Sequence, residues 1–140
     1  MKKGFTLIEL LVVIAIIAML SSLSVIALNS ARAKSRDARR LSDIKQIKTA
    51  LEMYYDEKLE YPSGTAAVLG KTNYVCLSAT NGFSSSCSGT VFMQKVPSDP
   101  QPATRNYIYT RGGSLNNTFT ITYFSEANNS TSIATESSMN

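Results

Sequence analysis

Glu9 is the residue with the clearest chemical demand, because it is the only charged side chain in the apolar run of residues 5–28. An ionised carboxylate inside a membrane segment costs about 2 to 3 kcal/mol or more, less near the interface, and therefore needs a partner. No Lys or Arg lies between Lys3 and Arg32, so the nearest cations on the chain are Lys2, Lys3 and an α-amino group. The sequence therefore predicts that Glu9 pairs with an amine.

Other reactive side chains are few and scattered. The sequence has no histidine and only two cysteines. Zinc sites are built mainly from Cys and His, so a zinc site of the ordinary kind is excluded. General acid–base catalysis would fall to carboxylates, and no pair of them is grouped for that work. We therefore expect no enzymatic activity, no cofactor and no metal.

The apolar run is long enough to cross a membrane. About 20 apolar residues at 1.5 Å per residue span the hydrocarbon core, and residues 5–28 reach that length. A cleaved secretory signal, with a cleavage site such as Ala31-Arg32-Ala33, fits less well because the apolar centre is too long and contains Glu9. A plain single-pass anchor, with Glu9 at the interface, stays open as the simpler alternative.

The residues around Glu9 carry a resemblance. Lys-Gly-Phe-Thr-Leu-Ile-Glu-Leu-Leu, at positions 3–11, resembles the processing signal of type IV prepilins and type II secretion pseudopilins. The resemblance implies that a membrane peptidase cuts after Gly4 and methylates the new terminal amine of Phe5. It also gives Glu9 a partner, the Phe5 amine of a neighbouring subunit in a filament.

The same resemblance implies a location and a set of partners. Residues 1–4 would be a leader peptide, and residues 5–28 the transmembrane and assembly half of a long helix. The subunit would cross the cytoplasmic membrane once, with its head outside the cytoplasm, and would later enter a periplasmic or extracellular filament. Its partners would be prepilin peptidase, membrane lipid before assembly, the assembly platform in the cytoplasmic membrane, and copies of itself in a helical filament.

A single helix is predicted to continue from the apolar run to Tyr61, because no Gly or Pro occurs from Phe5 through Tyr61. In the second half of this segment apolar residues recur at spacings of three and four, which places them on one helix face. They are Leu41, Ile44, Ile47, Leu51 and Tyr54 or Tyr55. We therefore expect residues 29–61 to be an amphipathic half that ends where Pro62 and Gly64 disfavour helical geometry.

The composition changes after Pro62 to Ser, Thr, Asn, Tyr and Gly, with short alternating runs. Such runs, separated by turn-forming residues, predict a small antiparallel sheet packed on the apolar helix face. The predicted strands are Asn73 to Ser78, Thr90 to Val96, Asn106 to Thr110 and Thr118 to Ser125. The predicted fold class is thus α+β and pilin-like, with a β-rich head over residues 62–126 and a polar, mobile tail over residues 127–140.

Cys76 and Cys87 enclose a loop rich in Ser, Asn and Gly. If the head lies outside the cytoplasm, as the resemblance requires, a disulfide between them would add roughly 2 to 4 kcal/mol to its stability. Two reduced, half-buried cysteines are the alternative.

A basic block follows the apolar run, and like charges four residues apart on a helix repel, so the block needs partners. Its members are Arg32, Lys34, Arg36, Arg39 and Arg40, against Asp37 alone. One candidate is the anionic headgroups of lipid. The other is a set of acidic side chains in an adjacent subunit, which lie about 20 residues further along the helix than the basic block. Nucleic acid is the least favoured candidate, since the aromatic residues of a stacking groove are missing.

The basic block also conflicts with the orientation that the processing signal implies. The positive-inside rule places the Lys- and Arg-rich flank of a span in the cytoplasm, and residues 32–40 are more basic than the N-terminal flank. The processing signal is the more specific pattern, so we expect the head to lie outside the cytoplasm.

A fainter similarity concerns calcium. Val96 to Pro100 followed by Tyr107 to Tyr109 is similar to the segment that precedes the calcium loop of type II secretion major pseudopilins. Calcium takes about six to eight oxygen ligands, largely carboxylates. From residue 101 onwards the only acids are Glu126 and Glu136, so no calcium site is predicted.

Two functions fit these patterns. The first is a structural subunit of a type IV pilus-like filament or of a type II secretion pseudopilus. The second is a minor pilin whose head acts at low stoichiometry as a binding module, for adhesion or DNA uptake. The resemblance favours the first, because tip subunits of the family can lack the glutamate that stands here at position 9.

Overall fold

The computed structural model describes residues 4–137 of the 140-residue chain. Within them the chain forms one helix followed by seven short strands. These are α1 (Leu7–Lys58), β1 (Ala67–Val68), β2 (Cys76–Ser78), β3 (Gly82–Ser84), β4 (Val91–Met93), β5 (Ile108–Gly112), β6 (Thr118–Ser125) and β7 (Ser130–Ser137). The chain divides into two compact units, an N-terminal unit that ends at Ser35 and a head unit that begins at Arg36.

The N-terminal unit is helical from Leu7, and every side chain from Gly4 to Arg32 is exposed. Its large apolar residues are each about half exposed or more, from Val13 at 47% to Leu7 at 81%. An 18-residue window of α1 has a mean hydropathy of 2.8, so by length and composition this helix could cross a membrane.

The strands of the head unit form two antiparallel sheets. One has the strand order β1-β5-β6-β7 and the other the order β3-β2-β4. The pairing of β5 with β6 brings Tyr109 opposite Ile121 and Arg111 opposite Phe119. Phe119, Ile121 and Tyr109 are fully buried, so the alternation in β6 directs one face of the larger sheet into the core.

The helix supplies the other side of this core. Residues at three- and four-residue spacing are buried against the sheets, namely Ile44, Ile47, Ala50, Leu51 and Tyr54. The predicted α+β, pilin-like fold class is confirmed. Leu41 is an exception to the predicted apolar face, because 49% of it is exposed.

Two boundaries differ from the sequence prediction. Helix α1 ends at Lys58 and not at Tyr61, because Leu59 adopts a left-handed conformation with φ of 58°. The prediction of a mobile tail over residues 127–140 is wrong for residues 130–137, which form β7 and pair with β6 along their whole length. The head predicted for residues 62–126 therefore extends to residue 137, and residues 138–140 lie outside the described part.

The missed strand is explained by its composition. Strand β7 is rich in Ser and Thr, and it lies at the edge of its sheet, where polar side chains are tolerated. β-branched residues, here Thr131, Ile133 and Thr135, are the feature that favours a strand. The turn before it closes through a hydrogen bond from the Asn129 N–H to the Glu126 carbonyl oxygen, with Asn129 at φ of 46°.

A disulfide joins Cys76 of β2 to Cys87 in the loop that follows β3, with Cα atoms 6.1 Å apart. Of the two arrangements left open by the sequence, the structure has the bonded one. The bond closes a loop with a sequence separation of 11 residues. It ties the smaller sheet to a segment without regular secondary structure.

Removing this bond gives a first test of the head. We expect the Cys76→Ser/Cys87→Ser variant to lose about 3 kcal/mol of unfolding free energy, since a loop of this length gains about that much chain entropy in the unfolded state. Chemical unfolding of the full chain in detergent, followed by the near-ultraviolet circular dichroism of the tyrosines, measures the loss. Wild-type protein under reducing conditions is the matched control and should behave like the variant. An unchanged midpoint in both would show that the bond does not stabilise the head.

Candidate processing and assembly site

The start of α1 is fixed by a reciprocal pair of side chains. Thr6 precedes the first helical residue, and its N–H and hydroxyl donate to the Oε2 atom of Glu9 at 2.8 and 2.7 Å. In return the Glu9 N–H donates to the Thr6 hydroxyl oxygen at 3.2 Å. This is a capping box, in which two otherwise unsatisfied N–H groups of the first helical turn find acceptors.

The capping box changes the interpretation of Glu9. From the sequence alone its carboxylate has no partner except an amine, whereas in the structure Oε2 has two donors on Thr6. The other oxygen, Oε1, accepts no hydrogen bond from residues 4–137. The Thr-x-x-Glu pattern at positions 6–9 is the sequence signal that identifies this arrangement.

Gly4 and Phe5 precede the helix without regular secondary structure. A Cβ atom built on Gly4 would meet no heavy atom within 4 Å, so the local fold does not require glycine there. The Phe5 side chain is 78% exposed. Both residues are therefore open to an external agent such as a peptidase.

The head unit contains a second polar centre, built around the fully buried Arg40. Its guanidinium donates to both carboxylate oxygens of Asp99, at 2.8 and 3.1 Å, and Asp99 is also fully buried. The Nη1 atom donates to Asp37 at 2.8 Å and to Glu126 at 2.7 Å. The Nη2 atom donates to the side-chain oxygen of Gln101 at 3.2 Å.

Arg36 completes this centre from one turn earlier on the helix. Its Nε and Nη2 atoms donate to the two oxygens of Glu126 at 2.8 and 2.6 Å. Asp37 accepts the N–H groups of Glu126 and Ala127 at 3.0 and 2.8 Å, which holds the turn before β7 against the helix. We call Arg36, Asp37, Arg40, Asp99 and Glu126 the Arg40 centre.

Two comparisons with protein families bear on these observations. A family model described as the prokaryotic N-terminal methylation motif matches residues 1–25. A second, described as type II secretion system (T2SS), protein G, matches residues 26–137, which is more than half of the chain. This chain belongs to the type II secretion system protein G family. Comparison with curated proteins and with solved structures found no match.

The protein is thus a pseudopilin of the pilin-like class, and the resemblance seen in residues 3–11 is confirmed. The family consists of structural subunits of a secretion system and not of enzymes. In this pseudopilin, residues 4–137 contain no group of three or more His, Cys, Asp or Glu side chains placed to hold a metal ion. Asp99 and Glu126 are instead engaged by the Arg40 guanidinium.

The structure divides the predicted basic block into two classes. Arg36 and Arg40 have acidic partners in the same chain, so neither requires lipid or another subunit to balance its charge. Sequence reasoning missed these pairs since Asp99 and Glu126 are distant along the chain. Arg32, Lys34 and Arg39 are exposed and form no hydrogen bond with the described residues, although the charge of Arg39 acts on nearby Asp43, so the question of an external partner stays with them.

Ionisation in the Arg40 centre follows from these contacts. The hydrogen bond from Arg36, opposed by burial and reinforced by Arg40, lowers the pKa of Glu126 to about 2 from its usual 4.5. Burial acts against ionised Asp37, but hydrogen bonds from two backbone N–H groups and from Arg40 hold its pKa below the usual value. Nearby Asp43 differs: burial raises its pKa, although the Tyr107 hydroxyl donates to it at 2.9 Å.

Substituting Arg40 tests whether the centre holds the head together. We expect Arg40→Met to cost about 3 to 5 kcal/mol of unfolding free energy, because the buried Asp99 loses both guanidinium hydrogen bonds and keeps only the one from the Gln101 N–H. Arg39→Met, one position earlier and exposed, is the matched control and should change stability by about 0.5 kcal/mol or less. Denaturant unfolding of both variants in detergent gives the comparison. Equal stabilities would show that the centre contributes nothing.

The pKa of Glu126 gives a pH-dependent expectation. A carboxyl whose pKa is lower in the folded state stabilises the fold above its unfolded pKa, and this contribution is lost as the pH falls from about 4.5 towards 2. We expect wild type to exceed Glu126→Gln by up to about 3 kcal/mol at pH 7, with the difference shrinking in that acid range. Asp43 titrates in both proteins, so its opposite effect cancels. A difference that stays constant with pH would contradict the pairing of Glu126 with Arg36.

Proposed function

We propose that this pseudopilin is cleaved after Gly4, methylated at the Phe5 amine, and polymerised through its N-terminal helix into a pseudopilus or pilus-like filament. Before assembly it lies in the cytoplasmic membrane as a single-pass protein with its head outside the cytoplasm. In the filament the Glu9 carboxylate pairs with the Phe5 amine of a neighbouring subunit. Prepilin peptidase and the membrane assembly platform are its partners during these steps.

The observation that carries this proposal is the half-satisfied carboxylate at the start of the exposed apolar half of α1. Oε2 of Glu9 accepts from Thr6, while Oε1 has no donor among the described residues. Cleavage after Gly4 leaves the Thr6 amide N–H intact, so the capping box can persist in the mature subunit. The capping box would hold Glu9 in a fixed helical turn, with Oε1 available to an incoming amine. Because the side chain is already ordered, less conformational entropy is lost when the ion pair forms.

The minor-pilin alternative shares the same anchor and differs in abundance. Quantification of the subunit in purified filaments separates the two, since a body subunit is the main component and a minor pilin is rare. The exposed Glu9 motif supports the body subunit.

Processing is tested by intact mass spectrometry of filaments. We expect the assembled subunit to begin at Phe5 with one added methyl group, because the leader would otherwise keep the Phe5 nitrogen in an amide bond and remove the cation that Glu9 needs. Subunits in membranes that lack the peptidase are the control and should retain Met1. Assembled filaments in which Met1 is intact would overturn the proposal.

Assembly is tested by Glu9→Ala. We expect membrane insertion to be retained and filament yield to fall about tenfold or more, since losing one member of a desolvated charge pair costs about 2 to 5 kcal/mol. Glu60→Ala, which removes an exposed acid of the head, is the matched control. Normal filament yield from Glu9→Ala would rule out the pairing role.

A further inference from the structure

The head unit has an apolar groove between α1 and β4 that the proposed function leaves unused. Its volume is about 370 Å³, and it is lined by Lys45, Gln46, Thr49, Ala50, Met53, Phe92 and Met93. Ala50 is buried, whereas Met53 is 51% exposed and Phe92 and Met93 are half-buried. We call this surface the helix groove.

Lys45 gives the helix groove a positive charge. Its side chain is exposed and forms no hydrogen bond or ion pair with residues 4–137, while its carbonyl oxygen accepts from Thr49. A ligand of this groove should therefore combine an apolar side chain with an acidic group.

The end of α1 presents such a combination. Leu59 follows the last helical residue in a left-handed conformation, with φ of 58°, and its side chain is 75% exposed. Glycine is the usual residue at this position, because a side chain there is strained. Leucine thus carries both the strain and an exposed apolar surface, while its N–H donates to the Tyr55 carbonyl oxygen at 2.7 Å.

Acidic residues surround this leucine. Asp56 and Glu57 are exposed and form no hydrogen bond or ion pair with the described residues. Glu60 accepts a hydrogen bond from Asn116 at 3.2 Å and lies 3.5 Å from Arg111, so it is already engaged. We call Asp56, Glu57 and Leu59 the acidic tip.

We propose that the acidic tip of one subunit docks in the helix groove of another, with Leu59 against Met53 and Phe92 and with Asp56 or Glu57 paired to Lys45. Both surfaces lie in the head unit, so each subunit offers one groove and one tip. Contacts between two different surfaces of identical chains produce a ring if the rotation between subunits closes. If it does not close, they produce an open helical array. This inference rests on the proposed polymerisation and names its head-to-head contact.

Leu59→Gly separates a docking role from a folding role. Glycine suits the left-handed conformation, so the melting temperature of the head in detergent should stay the same or rise. The filament yield should fall about tenfold or more, because the buried leucine contact is lost. Ile133→Gly, which removes a 64% exposed apolar side chain from β7, is the control for exposed apolar surface and should leave the yield unchanged. Normal filament yield from Leu59→Gly would overturn the inference.

Charge reversal tests the other half of the contact. Lys45→Glu should reduce filament yield, and adding Asp56→Lys and Glu57→Lys in the same chain should restore it. Lys95→Glu, at an exposed lysine of the head that does not line the groove, is the matched control. Failure of the triple variant to recover while Lys45→Glu is defective would contradict the pairing and would favour an anionic lipid or a cargo protein as the ligand of the groove.

A cysteine pair gives a direct readout in wild-type-like assemblies. Met53→Cys with Leu59→Cys should produce a ladder of disulfide-linked subunits on oxidation, whereas Met53→Cys with Ile133→Cys should not. If the unsubstituted protein forms no filament, the proposed function fails. If it does and the Met53/Leu59 pair forms no ladder, the docking inference alone fails.

Discussion

The structure of this pseudopilin depends on an apolar helical surface that nothing in the described chain covers. The large apolar side chains from Phe5 to Leu28 are each about half exposed or more. Exposure of this extent is not stable in water, at roughly 25 cal/mol per Å² of apolar surface. In the proposed function, lipid covers this surface before assembly and the apolar helices of other subunits cover it in the filament.

This constraint explains why a single carboxylate matters. Lipid tails and packed helices are similarly apolar, so exchanging one for the other supplies little specificity. A carboxylate in such a segment makes packing positions unequal in free energy, because it is stabilised only where a cation lies beside it. Thr6 reduces the cost of carrying Glu9 in an apolar segment, because it donates two hydrogen bonds to one oxygen and leaves the other accessible.

The head unit solves a different problem, which is to fix long loops to a helix in a small domain. Arg40 does this with one buried guanidinium that binds Asp99 from the segment before β5, Glu126 from the turn before β7, and Asp37 on its own helix. Calcium, for which the sequence predicts no site here, would link loops through carboxylates in a comparable way. Here the cation is part of the chain, so the cross-link folds with the head.

Much of this architecture follows from local patterns in the sequence. Periodicity predicts the amphipathic helix face and strand β6, and the length of the apolar run predicts the span. The observed bounds of β6, Thr118–Ser125, coincide with those predicted. Strand β7 was missed because an edge strand rich in Ser and Thr has the composition of a tail. Apart from Asp37, the partners of Arg36 and Arg40 lie 59 to 90 residues away along the chain and are brought near only by the tertiary fold. The capping box of Thr6 and Glu9 could be predicted from its Thr-x-x-Glu motif. The processing signal over the same residues instead indicated an intermolecular partner for Glu9.

A structure of the assembled filament that resolves the N-terminal residues tests the pairing of Glu9 directly. We predict that the chain begins at Phe5 and that its amine lies within about 4 Å of a Glu9 carboxylate oxygen from a neighbouring subunit, the range of an ion pair. A filament in which residues 1–4 remain, or in which Glu9 faces no amine, would contradict it.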